Sequence, residues 1–194
     1  MKKAIKGSIV LLLIILYSVR MISINKATNS SKTITYEYGA EVPFENDFYD
    51  DITDNPHGYS ISVVDNRIMD RESFLSFYNV CEDDIPEMYS FIYLVKTRIR
   101  NNNENVSQQY GINLSRFALQ DEEFMTYSYR SLIPEINGLN TFSFSLMPNT
   151  EVELLIPFCI NTEYTTRKHL ENGNAVLVIT LYPNKKCLSL NNDD

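Results

Sequence analysis

Between residues 89 and 100, "YSFIYLVKTRIR", odd and even positions separate by polarity. Tyr89, Phe91, Tyr93, Val95, Thr97 and Ile99 fall on one side. On the other, Ile92 and Leu94 give way to Lys96, Arg98 and Arg100. Side chains of a strand alternate between its faces, so the pattern predicts a central strand that is apolar on both sides at first and then runs out of the core towards water. Asn101, Asn102, Asn103 and Asn105 follow as turn formers.

The same reading extends along the chain. Residues 33–44, "TITYEYGAEVPF", predict an edge strand whose ladder Pro43 limits. Residues 45–58 read as an acidic loop, with Phe48 and Tyr49 folding part of it back onto the core. "YSISVVDNRIM" alternates with Tyr59, Ile61 and Val63 inward. A short helix follows, with Asp70 as its cap, a staple between Met69 and Phe74, and Phe74, Leu75 and Tyr78 as its buried side. "GINLSRFALQD" and "EFMTYSY" predict short strands, and "LNTFSFSLMP" alternates through Phe142, Phe144 and Leu146. Pro148 and Asn149 make a turn. "EVELLIPF" then puts Val152, Leu154, Ile156 and Phe158 on one face. "TEYTTRKHLEN" reads as a helical turn or loop. "AVLVITLYP" is apolar on both faces and so internal, and "KKCLSL" adds a last edge segment. Seven to nine short, regularly spaced strands with one small helix indicate a mostly-β sandwich or barrel over residues 33–194.

The N-terminus has a different pattern. "MKKAIKGSIVLLLIILYSVRMIS" opens on basic residues and continues in an apolar run from Ile9 to Val19, the anatomy of a secretory signal. Arg20, Met21 and Ile22 follow where a cleavage site needs small residues, and the first cysteine, Cys81, is too distant for a lipobox. An uncleaved anchor is therefore favoured over cleavage and secretion. The run alone spans about 17 Å as a helix, against about 30 Å of hydrocarbon, but residues 4–24 suffice if Lys6 and Arg20 snorkel to opposite interfaces. Lys2, Lys3 and Lys6 favour an internal N-terminus and an external body. Residues 1–24 are thus read as signal peptide or signal anchor, and 25–32 as a polar stalk.

Charge narrows the partners. The 194 residues carry a net −8; the first 23 hold four cations and no acid, leaving 13 basic against 25 acidic residues, or −12, on the remainder. Such a body is not expected to seek nucleic acid. With 44% hydrophobic residues it is not a charge-driven disordered chain either.

"GYSISVVDNRI", "IYLVKTRIRNNNEN", "LSRFALQD", "LMPNTEVELLIPF" and "VLVITLYPNKK" together resemble the membrane-anchored or secreted immunoglobulin-like domains of low-GC Gram-positive bacteria (Firmicutes), domains of unknown function. The resemblance covers roughly residues 33 to 190. It implies an immunoglobulin-like antiparallel β-sandwich and transfers no catalytic or binding residue.

Candidate chemistry is sparse. Asp47, Asp50, Asp51 and Asp54, with Glu45, crowd one loop. Carboxylate-rich loops can supply the oxygen ligands of Ca2+, yet the spacing is not that of an EF-hand and a solvated acidic loop is the ordinary reading. Glu151 and Glu153 could mimic a catalytic pair; as alternate residues of a strand they also form a plain solvent face. His57 and His169 lie beside no nucleophile motif. Cys81, Cys159 and Cys187 show no metal-binding spacing, and a Cys159–Cys187 bridge stands against idle thiols. No catalytic residue or cofactor is assigned. The expectation is a non-enzymatic module on the outer face of the membrane, contacting a protein or glycan partner. The alternative is a cell-envelope hydrolase or glycan-modifying enzyme using acidic residues.

Overall fold

The computed structural model describes residues 15–21, 32–49, 56–105, 111–163, 165–172 and 174–191. The chain divides into two compact units, Met1–Lys32 and Thr33–Asp194. In the first, residues 15–21 are helical and exposed; the rest of the expected membrane segment, residues 4–24, and the stalk up to residue 31 lie outside the described residues. Among the described residues no helix is long and apolar enough to cross a membrane.

The second unit is mostly β. A five-stranded sheet runs in the order β1-β11-β10-β6-β7 and a four-stranded sheet in the order β2-β3-β4-β9. Their strands are β1 (Thr33–Tyr36), β2 (Val42–Pro43), β3 (Tyr59–Asp70), β4 (Tyr89–Asn101), β6 (Ala118–Gln120), β7 (Met125–Tyr127), β9 (Glu151–Asn161), β10 (Val176–Thr180) and β11 (Lys185–Ser189). A separate two-stranded ladder joins β5 (Ile112–Asn113) to β8 (Ser143–Phe144). Three helices are described in this unit: α1 (Arg71–Tyr78), α2 (Leu132–Asn137) and α3 (Arg167–Asn172). Among the described residues eleven strands and these helices thus replace the seven to nine strands and single helix expected.

The two sheets share one core. Ile61, Val95 and Phe158 from the four-stranded sheet meet Leu119, Leu177 and Leu188 from the other in a single apolar cluster. β4 is its centre, paired antiparallel to β3 on one side and β9 on the other. Tyr93, Val95, Thr97 and Ile99 are buried as the alternation predicts, and Ile92 and Leu94 are buried on the opposite face. That opposite face is roofed by α1: Ile92 and Leu94 join Phe74, Ile85, Leu132 and Cys159 in a second cluster. Beyond the roof, Arg98 and Arg100 reach water. Only one face of the strand leaves the core, because Ile99 stays fully buried on the other.

Capping chemistry fixes α1. The Asp70 carboxylate accepts from the Ser73 amide and hydroxyl, each at 2.8 Å, and the left-handed Asn79 (φ 54°) ends the helix. Phe74 is fully buried; Met69, Leu75 and Tyr78 are half-buried against the same cluster.

Several elements differ from the sequence expectation, each through a long-range pairing. Residues 33–44 are not one strand: a turn closed by Ala40 N–H donating to Glu37 O (3.1 Å), with Gly39 at φ +76°, sends β1 to one sheet and β2 to the other. β11 is not an edge, because β1 lies parallel along its outer side. A bulge between Val63 and Asp65 shifts the β3 register, so Val63 and then Ile68 face the same core at an odd spacing that simple alternation forbids. The region around Phe142 to Leu146 yields only the two residues of β8, since its partner β5 is equally short. Helix α2 covers the outer edge of β9. Asn137 Nδ2 donates to Leu155 O and its Oδ1 accepts from Leu155 N, both at 2.8 Å, as a neighbouring strand would.

Candidate functional site

The acidic loop is held from inside. Lys186 Nζ lies 2.5 Å from Asp47 Oδ2, and both side chains are nearly sealed from solvent. The same ammonium donates to Pro43 O at 2.9 Å and lies 3.5 Å from Glu45 Oε2. His57 Nδ1 donates to Glu45 O at 2.9 Å. Asp47 is therefore engaged by a cation of the protein itself. Asp50, Asp51 and Asp54 lie outside the described residues. Among the described residues no group of three or more His, Cys, Asp or Glu could hold a metal ion. Tyr49 is buried and Phe48 stacks on Tyr182 at 5.5 Å, so the aromatic part of the loop does fold back.

The other acidic and basic candidates separate. Glu153 is bound by Lys96 and Arg98, each at 2.6 Å, with Glu151 3.8 Å from Arg98. Hydrogen bonds from Lys96 and then Arg98 hold the Glu153 carboxyl below its usual range. The pair belongs to a charged sheet face. His169, on α3, meets Asp121, at the end of β6: Nε2 and Oδ2 are 3.1 Å apart, yet misaligned for a hydrogen bond. Asp121 is buried and His169 half-buried. Among the described residues no hydroxyl or thiol bonds to this ring. All three cysteines are free. Cys159 and Cys187 belong to separate apolar clusters, so the bridge considered from sequence is absent. Burial pushes the Cys159 thiol up to about 12.

The surface that gathers binding chemistry is centred on Arg130, which the sequence does not single out. Arg130 sits in the link between β7 and α2. Ser128 ties that link down: its amide donates to Phe117 O (2.9 Å) and its hydroxyl to Leu114 O (2.8 Å). Next along, Tyr129 N–H donates to Pro157 O at 2.7 Å, joining the outer edges of the two sheets. Leu114 N–H donates to Phe142 O (3.0 Å), bringing in a third segment. On this frame the Arg130 guanidinium stacks over the Phe142 ring, 4.1 Å from its centroid. Stacking of this kind orients the guanidinium plane and leaves its in-plane N–H donors available.

Two depressions meet at this stack. One, of about 610 Å3, is lined by Tyr129, Arg130, Ser131, Pro134, Thr141 and Phe142 among others. The second, of about 460 Å3, shares Arg130 and Phe142 and adds Tyr49, Asn113, Arg116 and Tyr127. Asn113 Oδ1 accepts from the Ser115 amide (3.1 Å) and hydroxyl (2.7 Å), fixing the 3-10 turn Leu114–Arg116 that carries Arg116. Tyr127 is half exposed, with Tyr49 edge-on at 5.9 Å. These residues come from separate elements with no shared spacing, so no local motif marks them.

Two facing sheets around one apolar core make this a mostly-β domain of layered type. The match to known families is made by residues 33–186, and on it the chain belongs to the family described as Domain of unknown function (DUF5028). The chain is also similar to a solved structure, an uncharacterized beta-sandwich protein from Clostridium difficile 630, with TM-score 0.43 and 10% identity over 84% of this chain and 97% of that one. No curated protein matches it.

Proposed function

We propose that this chain is a membrane-tethered, extracytoplasmic binding module without catalytic activity, whose contact surface is centred on Arg130 and Phe142. The observation that carries the reading is the Arg130–Phe142 stack at the junction of two open depressions. Arg71, Lys96, Arg98, Arg167 and Lys186 all have a carboxylate within 4 Å. Arg130 has an aromatic ring instead, and an exposed, oriented guanidinium is a common interface anchor.

The immunoglobulin-like class is part of the proposal. The order β11-β10-β6-β7, antiparallel throughout, supports it by matching the G-F-C-C′ order of a variable-type domain. In the other sheet the order β3-β4-β9 matches A-B-E, with the consecutive strands β3 and β4 adjacent and the chain crossing to the opposite sheet after β4. The tether rests on the basic N-terminus and the apolar run Ile9 to Val19.

The test is comparative capture from native envelopes with the full-length chain, wild type against Arg130→Glu. A component enriched by the wild type and lost with the variant supports the surface; identical profiles reject it. Cell fractionation tests the tether, and mature protein in the medium beginning after Ala27 would overturn it.

A further inference from the structure

Resting on that reading, we infer that the Arg130–Phe142 surface takes an acidic saccharide, with the sugar ring against Tyr127 and its carboxylate or phosphate in the Arg130 fork. The guanidinium presents five N–H donors in a plane, a geometry that matches the two oxygens of a carboxylate or phosphate. Stacking on Phe142 at 4.1 Å holds that plane before any ligand arrives, so less side-chain entropy is lost on binding. Tyr127, 52% exposed and steadied by the edge of Tyr49, offers a flat apolar face beside the fork. Neutral hydrogen-bonding side chains share the lining, Ser131, Asn140 and Thr141 in one depression and Asn113 and Ser115 in the other, where Arg116 adds a second cation. Hydroxyl-rich ligands need such groups. The two volumes, about 610 and 460 Å3, fall in the range of small-ligand sites, about 300–1,000 Å3.

Charge selects within the anions. Residues 24–194 carry 13 basic against 25 acidic groups, so a dense polyanion is repelled by the body as a whole. An isolated negative group on an otherwise neutral, hydroxylated ring gains the fork at little of that cost. Arg98 is no rival site, because its Nε and Nη2 already donate to Glu153 and Glu151 lies 3.8 Å away, so its charge is met by acids of the protein itself.

The experiment is calorimetric titration of the full-length chain in neutral detergent. The ligands are trigalacturonate, its neutral counterpart galactotriose, glucose 6-phosphate, glucose and triglutamate. The carboxylate and phosphate arms distinguish the two sources of the anion. We expect at least one acidic sugar to bind about tenfold or more tighter than its neutral parent. Arg130→Gln, its fold verified by circular dichroism, should remove that difference. Arg98→Gln should leave it intact. Equal binding of the neutral parent, equal binding of triglutamate, persistence of the difference in Arg130→Gln, or no binding of either acidic sugar up to about 10 mM would each overturn the inference. If capture from envelopes still depends on Arg130 while every saccharide fails, the ligand class alone is wrong; if both fail, the surface is.

Discussion

Lys186 and Asp47 form an ion pair of 2.5 Å inside the domain, with about 4% and 3% of their side chains exposed. It ties β11 to a loop far upstream in the chain, and the bond from Lys186 Nζ to Pro43 O extends the tie to the end of β2. Removing one partner of a buried pair strands the other charge, so Lys186→Met is expected to cost about 3–5 kcal/mol in urea denaturation. Lys186→Met combined with Asp47→Leu should recover most of the loss. A double variant no more stable than the single one would show that the pair is not the source of the cost.

Three free thiols in three environments predict a graded reactivity. Cys81 is exposed, whereas Cys159 and Cys187 are buried, and burial raises both of their thiol pKa values. Thiolate is the reactive form, so in native protein a maleimide should label Cys81 alone, and all three in denaturant. Peptide mapping without reduction should find no Cys159–Cys187 linkage.

Alkali should weaken the fold in two stages. Burial pushes Cys159 from 9.0 to about 12. Burial first, then the charges of Tyr38 and Asp121, push Tyr93 from 10.0 to about 12. Each folded value lies above the unfolded one, so the contribution is complete below the unfolded value and is lost as pH rises through the folded one. Stability should therefore hold to about pH 9, fall as Cys159 begins to ionise in the unfolded chain, and fall faster above about pH 10 when Tyr93 joins. The upper limit is ~1.4 kcal/mol per pH unit for each group. Burial raises the Cys187 thiol from 9.0 as well, so Cys159→Ala should reduce the first stage, Cys159→Ala with Cys187→Ala should abolish it, and both should leave the second, read from urea midpoints between pH 8 and 11.5.

Asn137 stands in for a missing strand at Leu155. Asn137→Ala leaves the Leu155 amide and carbonyl without these partners, at a cost of about 2 kcal/mol by denaturation. It also opens the edge of β9 to other chains, so light scattering should report increased self-association. A monomeric variant of unchanged stability would mean water replaces the amide without loss.

Some of these features were legible along the chain. The two faces of β4, the Asp70 cap and the turn at Pro148 and Asn149, where Asn149 takes φ 57°, each depend on residues within a few positions of one another, where alternation, capping and turn rules act. Helix α2 was missed because "LIPEIN" is short, carries Pro134 and owes its helical state to burying Leu132 and Ile133. The candidate surface was less legible still. Arg116, Tyr127, Arg130 and Phe142 carry no common period and meet only because Ser128, Leu114 and Phe142 O are hydrogen-bonded together.

By itself the sequence determined local conformation and polarity: which segments extend, which sides want burial, where chains turn, and how acidic the body is. Tertiary structure alone decided which strands pair, as in β1 along β11 and the shifted ladder at Val63, and which distant side chains share a surface. The reason is physical. Alternation and capping are settled by neighbours a few residues away, whereas strand partnership and a stacked Arg130–Phe142 pair arise only when separate segments close on a common core.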